Sequence, residues 1–237
     1  MDPGSLGAYL ANDALAVRLP YLIIGLIVLM ASVLFLCIHL PELQDTDERN
    51  GARDPKPWRR PWQGVAAQFC YVGAQVGVAS FFIRFSRQVA GIGQQDAAYL
   101  LSIGPLLFMV GRFIGTALLR WIAEPTLLAI CAVGALVLVG VATLEPGLSA
   151  VITLLGVALR ISIMFPTIFS LSIEGLGRDT KLSSSLLVMS IVGGAIIPSM
   201  MGAISDRHGI QHADAVPLLC SLAVWLYARS VRPTVSA

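Results

Sequence analysis

The segment IMFPTIFSLSIEGLGRDTK, residues 163–181, places a proline inside an apolar run that ends in a charged turn containing two glycines. In a soluble helix interior this proline would cost about 3 kcal/mol, because it removes a backbone hydrogen bond and crowds the preceding turn. Membrane helices tolerate proline where neighbouring helices or Ser and Thr hydroxyls satisfy the freed carbonyl. Ser162 lies one turn before Pro166, and the charge begins at Glu174. The segment therefore predicts a membrane helix that is kinked at Pro166 and leaves the bilayer at Glu174.

The composition of the whole chain is typical of a membrane protein. Of its 237 residues, 56% are hydrophobic and only 13% are charged, and the mean hydropathy is +0.78. Soluble proteins have about a quarter of their residues charged. A bilayer-spanning helix needs about 20 apolar residues, and seven segments meet this length: 19–40, 64–85, 97–119, 126–144, 147–172, 184–205 and 213–230. The sequence predicts an all-α membrane protein with seven transmembrane helices.

The basic residues predict an orientation for these helices. If the spans alternate, ten Lys and Arg residues fall on one side of the membrane and four on the other. The positive-inside rule then places the N-terminus outside and the C-terminus in the cytoplasm. The expected organisation is an outer segment (1–18), a single helix (19–40), a cytoplasmic linker (41–63), a block of six helices (64–230) and a cytoplasmic tail (231–237).

The second span carries amides and aromatic rings on one side. At 100° per residue, Gln68, Tyr71, Gln75 and Phe82 fall within about 60° of one another. Polar groups within a bilayer are costly unless they face a bundle interior or a water-filled cavity. Amides and aromatic rings also suit sugars, through hydrogen bonds to hydroxyls and a flat apolar contact. We interpret this face as a cavity wall; the alternative is contact between helices, with the Gln side chains bonded to a neighbour.

Two arginines lie at membrane depth, and two glycine pairs recur at GxxxG spacing. Arg112 lies near the cytoplasmic end of the third span, where it either extends to the interface or pairs with a helix C-terminus or carboxylate to hold one closed conformation as a gate. Arg160 lies deeper, and both substrate contact and structural pairing remain open. The glycine pairs predict close helix packing; they are Gly73 with Gly77 and Gly111 with Gly115.

Several other classes of protein are disfavoured. A retinal protein needs a lysine in its last helix, whereas Lys56 and Lys181 are both in loops. His208 and His212 have a spacing that can hold a metal, but we interpret them as solvent-facing. The spans contain no catalytic motif, and no basic stripe suits nucleic acid. We therefore expect neither an enzyme nor a metal site, cofactor or nucleic-acid partner; a receptor remains an alternative.

Several stretches resemble the fucose:proton symporter family, a branch of the major facilitator superfamily that includes L-fucose and glucose/galactose permeases. FPTIFSLSIEGLGRDTK (165–181) and SSSLLVMSIVGGAIIPSMMGAISD (183–206) resemble its tenth and eleventh helices. QFCYVGAQVGVASFFIRF (68–85) resembles the seventh helix and YLLSIGPLLFMVGRFIGTALLRW (99–121) the eighth. PYLIIGLIVLMASVLFLCIHLPEL (20–43) resembles the sixth. The similarity covers nearly the whole chain.

This resemblance implies a twelve-helix permease, of which the chain would hold helix six and the six-helix C-terminal half. It implies sugar transport, with proton symport, in a bacterial inner membrane. The coupling carboxylates would belong to the first half, and none of the fourteen Asp and Glu residues lies in the middle of a span. The expected partners are a sugar, protons and the lipid bilayer, with a separate N-terminal half as a further candidate. The alternative is an orphan half-transporter without independent activity.

The polar and aromatic face of the second span and the family resemblance together predict which residues lie at the sugar site and at the gate. The expected sugar-facing residues are Gln68, Tyr71, Gln75, Phe82 and Phe165. Pro166 would supply a kinked second wall, with gating or structural roles for Arg112 and Arg160.

Overall fold

The computed structural model describes residues 18, 21–34, 59–174, 176 and 180–231. The chain divides into two units, Met1–Ala52 and Arg53–Ala237. In the described part of the first unit, helix α1 spans Tyr21–Leu34, within the predicted first span. Most of the predicted outer segment, the linker up to residue 58, the glycine turn after Glu174 and the tail after residue 231 lie outside the described residues.

The described part of the second unit is built from helices whose positions agree with the predicted spans. Their bounds are α2 Arg59–Ala90, α3 Gln94–Leu118, α4 Glu124–Leu144, α5 Leu148–Ile161, α6 Met164–Ile173, α7 Thr180–Met189, α8 Gly193–His208, α9 Ile210–Ala213 and α10 Ala215–Ser230. Within the described residues, five helical segments are long and apolar enough to cross a membrane: Pro61–Ala90, Gln94–Leu118, Glu124–Leu144, Leu148–Ile173 and Thr180–His208. The predicted last span corresponds to α10, which has 16 residues.

Two of these long segments are interrupted near their middle. The first consists of α5 and α6, which are separated by a turn at Ser162 and Ile163. Pro166 lies in the first turn of α6, where a helix residue needs no N–H donor, so the predicted kink is a full break in the helix. The second consists of α7 and α8, which are joined by a 3₁₀ turn at Ser190–Val192.

The helices pack in a repeating pattern. The helices divide into two groups of three spans. One group is α2, α3 and α4, and the other is α5–α6, α7–α8 and α10. The first span of each group packs on the second and third spans of the other group. Thus α2 packs on α8 and α10, while α5 packs on α3 and α4. The third helices, α4 and α10, pack on each other. The two groups of helices therefore make equivalent contacts with each other.

Glycines make the close contacts of α2 with α8 and of α3 with the α5–α6 break, as the GxxxG spacing predicted. A Cβ atom at Gly73 would overlap the side chain of Ile197, and one at Gly77 would lie 2.5 Å from the sulfur of Met201. A Cβ at Gly111 would lie 2.5 Å from the Leu159 carbonyl oxygen. Since the helices approach this closely, a larger side chain at these positions would force its neighbours to shift.

We expect Gly73→Ala to lower the free energy of unfolding by about 1–3 kcal/mol, because the added methyl group overpacks the α2–α8 contact. The matched control is Gly140→Ala in the interior of α4, where a Cβ atom would lie 3.7 Å from Leu218, an ordinary contact. This control should be neutral or stabilising by up to about 1 kcal/mol. Thermal unfolding of the purified protein in detergent compares the two; equal melting temperatures would contradict the assigned contact.

Candidate functional site

A cavity of about 410 Å³ lies between α2, α3 and α5. Its walls are mainly apolar, and Gln75 supplies the amide among the lining side chains. The lining residues are Gln75, Val78, Ala79 and Phe82 of α2, Leu101, Gly104, Pro105 and Phe108 of α3, and Leu154, Leu155, Ala158 and Ile161 of α5. An apolar pocket with few polar groups is the usual form of a small-molecule site.

The structure divides the predicted face of α2 between two environments. Gln75 and Phe82 line the cavity. Gln68 and Tyr71 are buried in the bundle nearer the N-terminal end of α2 and are not among the lining residues. Phe165 lies on α6 and packs edge-to-face on the ring of Tyr71, with centroids 6.1 Å apart. The five predicted residues therefore form two adjacent groups, with Gln75 and Phe82 at the cavity.

Tyr71 supports the break between α5 and α6. Its hydroxyl donates a hydrogen bond of 3.0 Å to the carbonyl oxygen of Ile161, the last residue of α5. Both residues are buried. A buried carbonyl without a partner costs about 1–3 kcal/mol, so this hydroxyl stabilises the interrupted span from the side of α2.

Arg112 donates a hydrogen bond to the second carbonyl at the break. Pro166 has no N–H group, so the carbonyl of Ser162, four residues earlier, lacks its usual helical donor. The Nε–H of Arg112 donates to this carbonyl oxygen at 3.4 Å, and its guanidinium carbon lies 5.2 Å from the centre of the Phe108 ring. The Ser162 hydroxyl, expected to help at this site, instead donates to the carbonyl of Leu159 at 2.8 Å.

The arrangement of Arg112 matches one of the two sequence alternatives, pairing with a helix C-terminus. It joins α3 to the end of α5 next to the cavity, since Phe108 lines that cavity. A role in gating stays a prediction. Arg160 extends its stem along Gly134 of α4, and within the described residues it makes no hydrogen bond or ion pair. Its role also stays a prediction.

The sequence did not single out Asp214, and it predicted Gln68 on the cavity wall; the structure buries both side chains. Asp214 lies between α9 and α10, at a helix end as expected for every carboxylate, but it is only 2% exposed. Gln68 is completely buried, and in the described part of the chain neither Nε2 nor Oε1 of its amide has a hydrogen-bond partner. Burial of this kind depends on how helices pack, which no local sequence pattern reveals.

A helical bundle in which interrupted spans adjoin a cavity is the architecture of a secondary transporter. The family comparison agrees: the model described as Major Facilitator Superfamily matches residues 4–181, and the chain belongs to this superfamily. It is thus a multi-pass membrane protein. The predicted resemblance to the fucose:proton symporter branch is also confirmed, by the relatives and solved structures that match.

The relatives with curated names are transporters, in agreement with the expectation that the chain is not an enzyme. The chain is 38% identical over 239 residues to the L-fucose-proton symporter of Escherichia coli (strain K12), covering 97% of the chain and 55% of that protein. It is 37% identical over 223 residues to a glucose/galactose transporter of Brucella abortus biovar 1 (strain 9-941), covering 91% and 53%. The chain thus spans about half the length of the curated relatives it matches.

Solved structures show the same fold. The crystal structure of the major facilitator superfamily transporter FucP in the outward conformation matches with a TM-score of 0.83 and 36% identity, over 99% of this chain and 59% of that one. A peptide transporter structure matches with a TM-score of 0.66 at 14% identity, over 73% of this chain and 38% of that one, a likeness of fold alone.

We expect Arg112 and Pro166 to be coupled in a double-mutant cycle. Arg112→Ala should lower the free energy of unfolding by about 1 kcal/mol, because it leaves the Ser162 carbonyl without a donor. In a Pro166→Ala background the new N–H of residue 166 can donate to that carbonyl, so the same change should cost almost nothing. Thermal unfolding of the four proteins in detergent measures the coupling. Strictly additive effects would contradict the assignment; Arg120→Ala, an exposed arginine at the end of α3, is the control.

Proposed function

We propose that this chain is the sugar-binding, C-terminal portion of a permease that transports a hexose or fucose-type sugar. The support is its similarity to an L-fucose-proton symporter and to glucose/galactose transporters, together with the cavity beside the broken span. In this proposal, residues 64–230 form the six-helix transporter half, and residues 19–40 correspond to the helix that precedes it.

The observation that carries the proposal is the position of Gln75 in an otherwise apolar cavity. A pyranose has hydroxyl groups around its edge and apolar C–H faces. The amide of Gln75 provides both a donor and an acceptor for hydroxyls, and the rings of Phe82 and Phe108 provide an apolar surface for a sugar face. The chemistry of the wall therefore suits an amphipathic, uncharged ligand of monosaccharide size.

Proton symport requires a protonatable group at membrane depth, and the described part of the chain places no carboxylate there. Within the described residues, carboxylates lie at or beyond helix ends, as with Glu124, Glu145 and Asp206. Proton coupling within a bilayer ordinarily uses a carboxylate or histidine in the interior of the bundle. We infer that an N-terminal half, on the same or a separate chain, supplies this group and the facing wall of the cavity.

The proposed setting is a bacterial inner membrane. Ten of the sixteen Lys and Arg residues fall on one side if the spans alternate, which favours an N-terminus outside and a C-terminus in the cytoplasm. In this orientation the cavity lies toward the outer side of the α5–α6 break and α6 toward the cytoplasm. Arg112 then contacts the break beside the cavity, and its predicted role in cytoplasmic gating is part of this proposal.

A second candidate is a half-transporter without independent activity. It is favoured by the composition of the cavity, in which the described residues provide a single amide for a ligand with several hydroxyls. Alternating access also requires two repeats that rock against each other around the site. On this proposal the chain folds and binds sugar weakly, and it does not accumulate sugar in proteoliposomes on its own.

We expect Gln75→Ala to raise the half-saturation concentration for sugar by about 3- to 10-fold, because one hydrogen-bonding amide is lost from the cavity. The variant is measured in a permease completed with an N-terminal half, by uptake of radiolabelled L-fucose, galactose and glucose with and without a proton gradient. Gln95→Ala, on the exposed first turn of α3, is the matched control.

Unchanged affinity for all three sugars in Gln75→Ala would contradict the site at this cavity. Uptake driven equally well without a proton gradient would contradict symport while leaving the cavity assignment intact. Sugar-dependent proton uptake by the present chain alone would contradict the requirement for an N-terminal half.

A further inference from the structure

Two cysteine side chains meet where α2 packs on α10. Cys70 lies on α2 and Cys220 on α10, and a side-chain hydrogen bond joins their thiol groups. Both are free cysteines. A hydrogen bond requires close approach of its two heavy atoms, so the two sulfur atoms are near neighbours although they belong to separate helices. We call these two residues the Cys70–Cys220 pair.

The pair lies in an apolar cluster formed by α2, α8 and α10. Cys220 is a buried member of this cluster, together with Ile197 and Met201 of α8. Cys70 packs against the cluster and is only partly buried. Cys70 is therefore the thiol that an apolar reagent reaches first, and Cys220 is the second thiol beside it.

The surroundings of the pair favour one kind of thiol chemistry over others. A reaction that leaves a charged group among apolar side chains is costly, because the charge loses its water. A condensation in which reactants and products are all neutral avoids this cost. Two adjacent thiols also act as a chelating pair: once the first sulfur is bound, the second reacts at a high effective concentration. The pair is therefore suited to a neutral reagent that takes two sulfur ligands.

We propose that the Cys70–Cys220 pair is a binding site for trivalent arsenicals, in which one arsenic atom bridges α2 and α10. With an arylarsine oxide, two arsenic–sulfur bonds form and the bond between arsenic and oxygen breaks. The two thiol hydrogens leave with that oxygen as one molecule of water, and the arsenic remains trivalent. The reactants and the product are neutral, as the apolar cluster requires.

This site is separate from the cavity at Gln75. At about 100° per residue, Cys70 and Gln75 lie about 140° apart around α2. Cys70 contacts α10, whereas Gln75 lines the cavity between α2, α3 and α5. The proposal therefore does not depend on the proposed sugar site, and either of the two can fail without the other.

Cys131 provides an internal comparison. It is a buried free cysteine on α4, and it belongs to a different cluster of core residues from Cys220. Among the described cysteines, the thiols that hydrogen-bond to each other are those of Cys70 and Cys220. Cys37 lies outside the described residues, so the experiment includes a variant that removes it.

The test is retention of phenylarsine oxide by the full chain purified in detergent. Treated proteins are desalted in increasing concentrations of β-mercaptoethanol, a monothiol competitor, and the bound phenylarsenic group is counted by intact mass. We expect the wild type to retain one group and to release it to dithiothreitol, a dithiol. In Cys70→Ser and Cys220→Ser, the monothiol concentration that removes half of the group should fall at least about 100-fold, because each variant offers a single thiol.

Cys131→Ser and Cys37→Ser are the matched controls and should retain the group as the wild type does. Cys220→Ala is a second variant at the buried position, in case a serine hydroxyl is poorly accommodated there. Equal retention by the wild type and by the variants of Cys70 and Cys220 would overturn the proposal, because the arsenic would then be bound elsewhere. Absence of retention by the wild type, or its loss in either control, would overturn it as well.

Discussion

In a lipid bilayer every backbone carbonyl needs a partner, because no water is present to replace a missing helical donor. The α5–α6 span does not meet this condition by itself, since its helix breaks and Pro166 offers no N–H. Tyr71 from α2 and Arg112 from α3 supply donors from the two sides of the break. The interrupted span is therefore held in place by both neighbouring helices, and the cavity lies where the same three helices meet.

Much of this fold follows from local patterns in the sequence. Long apolar runs bounded by charges gave span positions close to those observed, because the bilayer imposes the length of each helix. Pro166 marked the break because its missing N–H acts at a fixed distance along the chain. The glycine pairs marked the close contacts because only a residue without a side chain permits them. Each of these signals is contained within one helix.

The residues that form the site, and their contacts, were harder to predict from the sequence. A 60° arc on α2 is wide enough to meet two environments, so Gln75 lines the cavity while Gln68 is buried in the bundle away from it. The partner of Arg112 is a carbonyl fifty residues away, and a backbone acceptor has no residue-type signature. The burial of Asp214 likewise depends on how the connection before α10 folds back onto the bundle. These features are set by tertiary packing, which helical periodicity does not encode.

The position of the break also determines how far the end of α6 would move if this helix tilted. The ten residues of α6 form a rigid arm about 15 Å long, with its pivot at the turn before Met164. A tilt of about 20° at that pivot displaces the far end by about 5 Å, while the residues beside the turn hardly move. Any tilt of α6 about this turn would therefore be small at the residues beside the break and largest at Ile173, the end of the helix farthest from it.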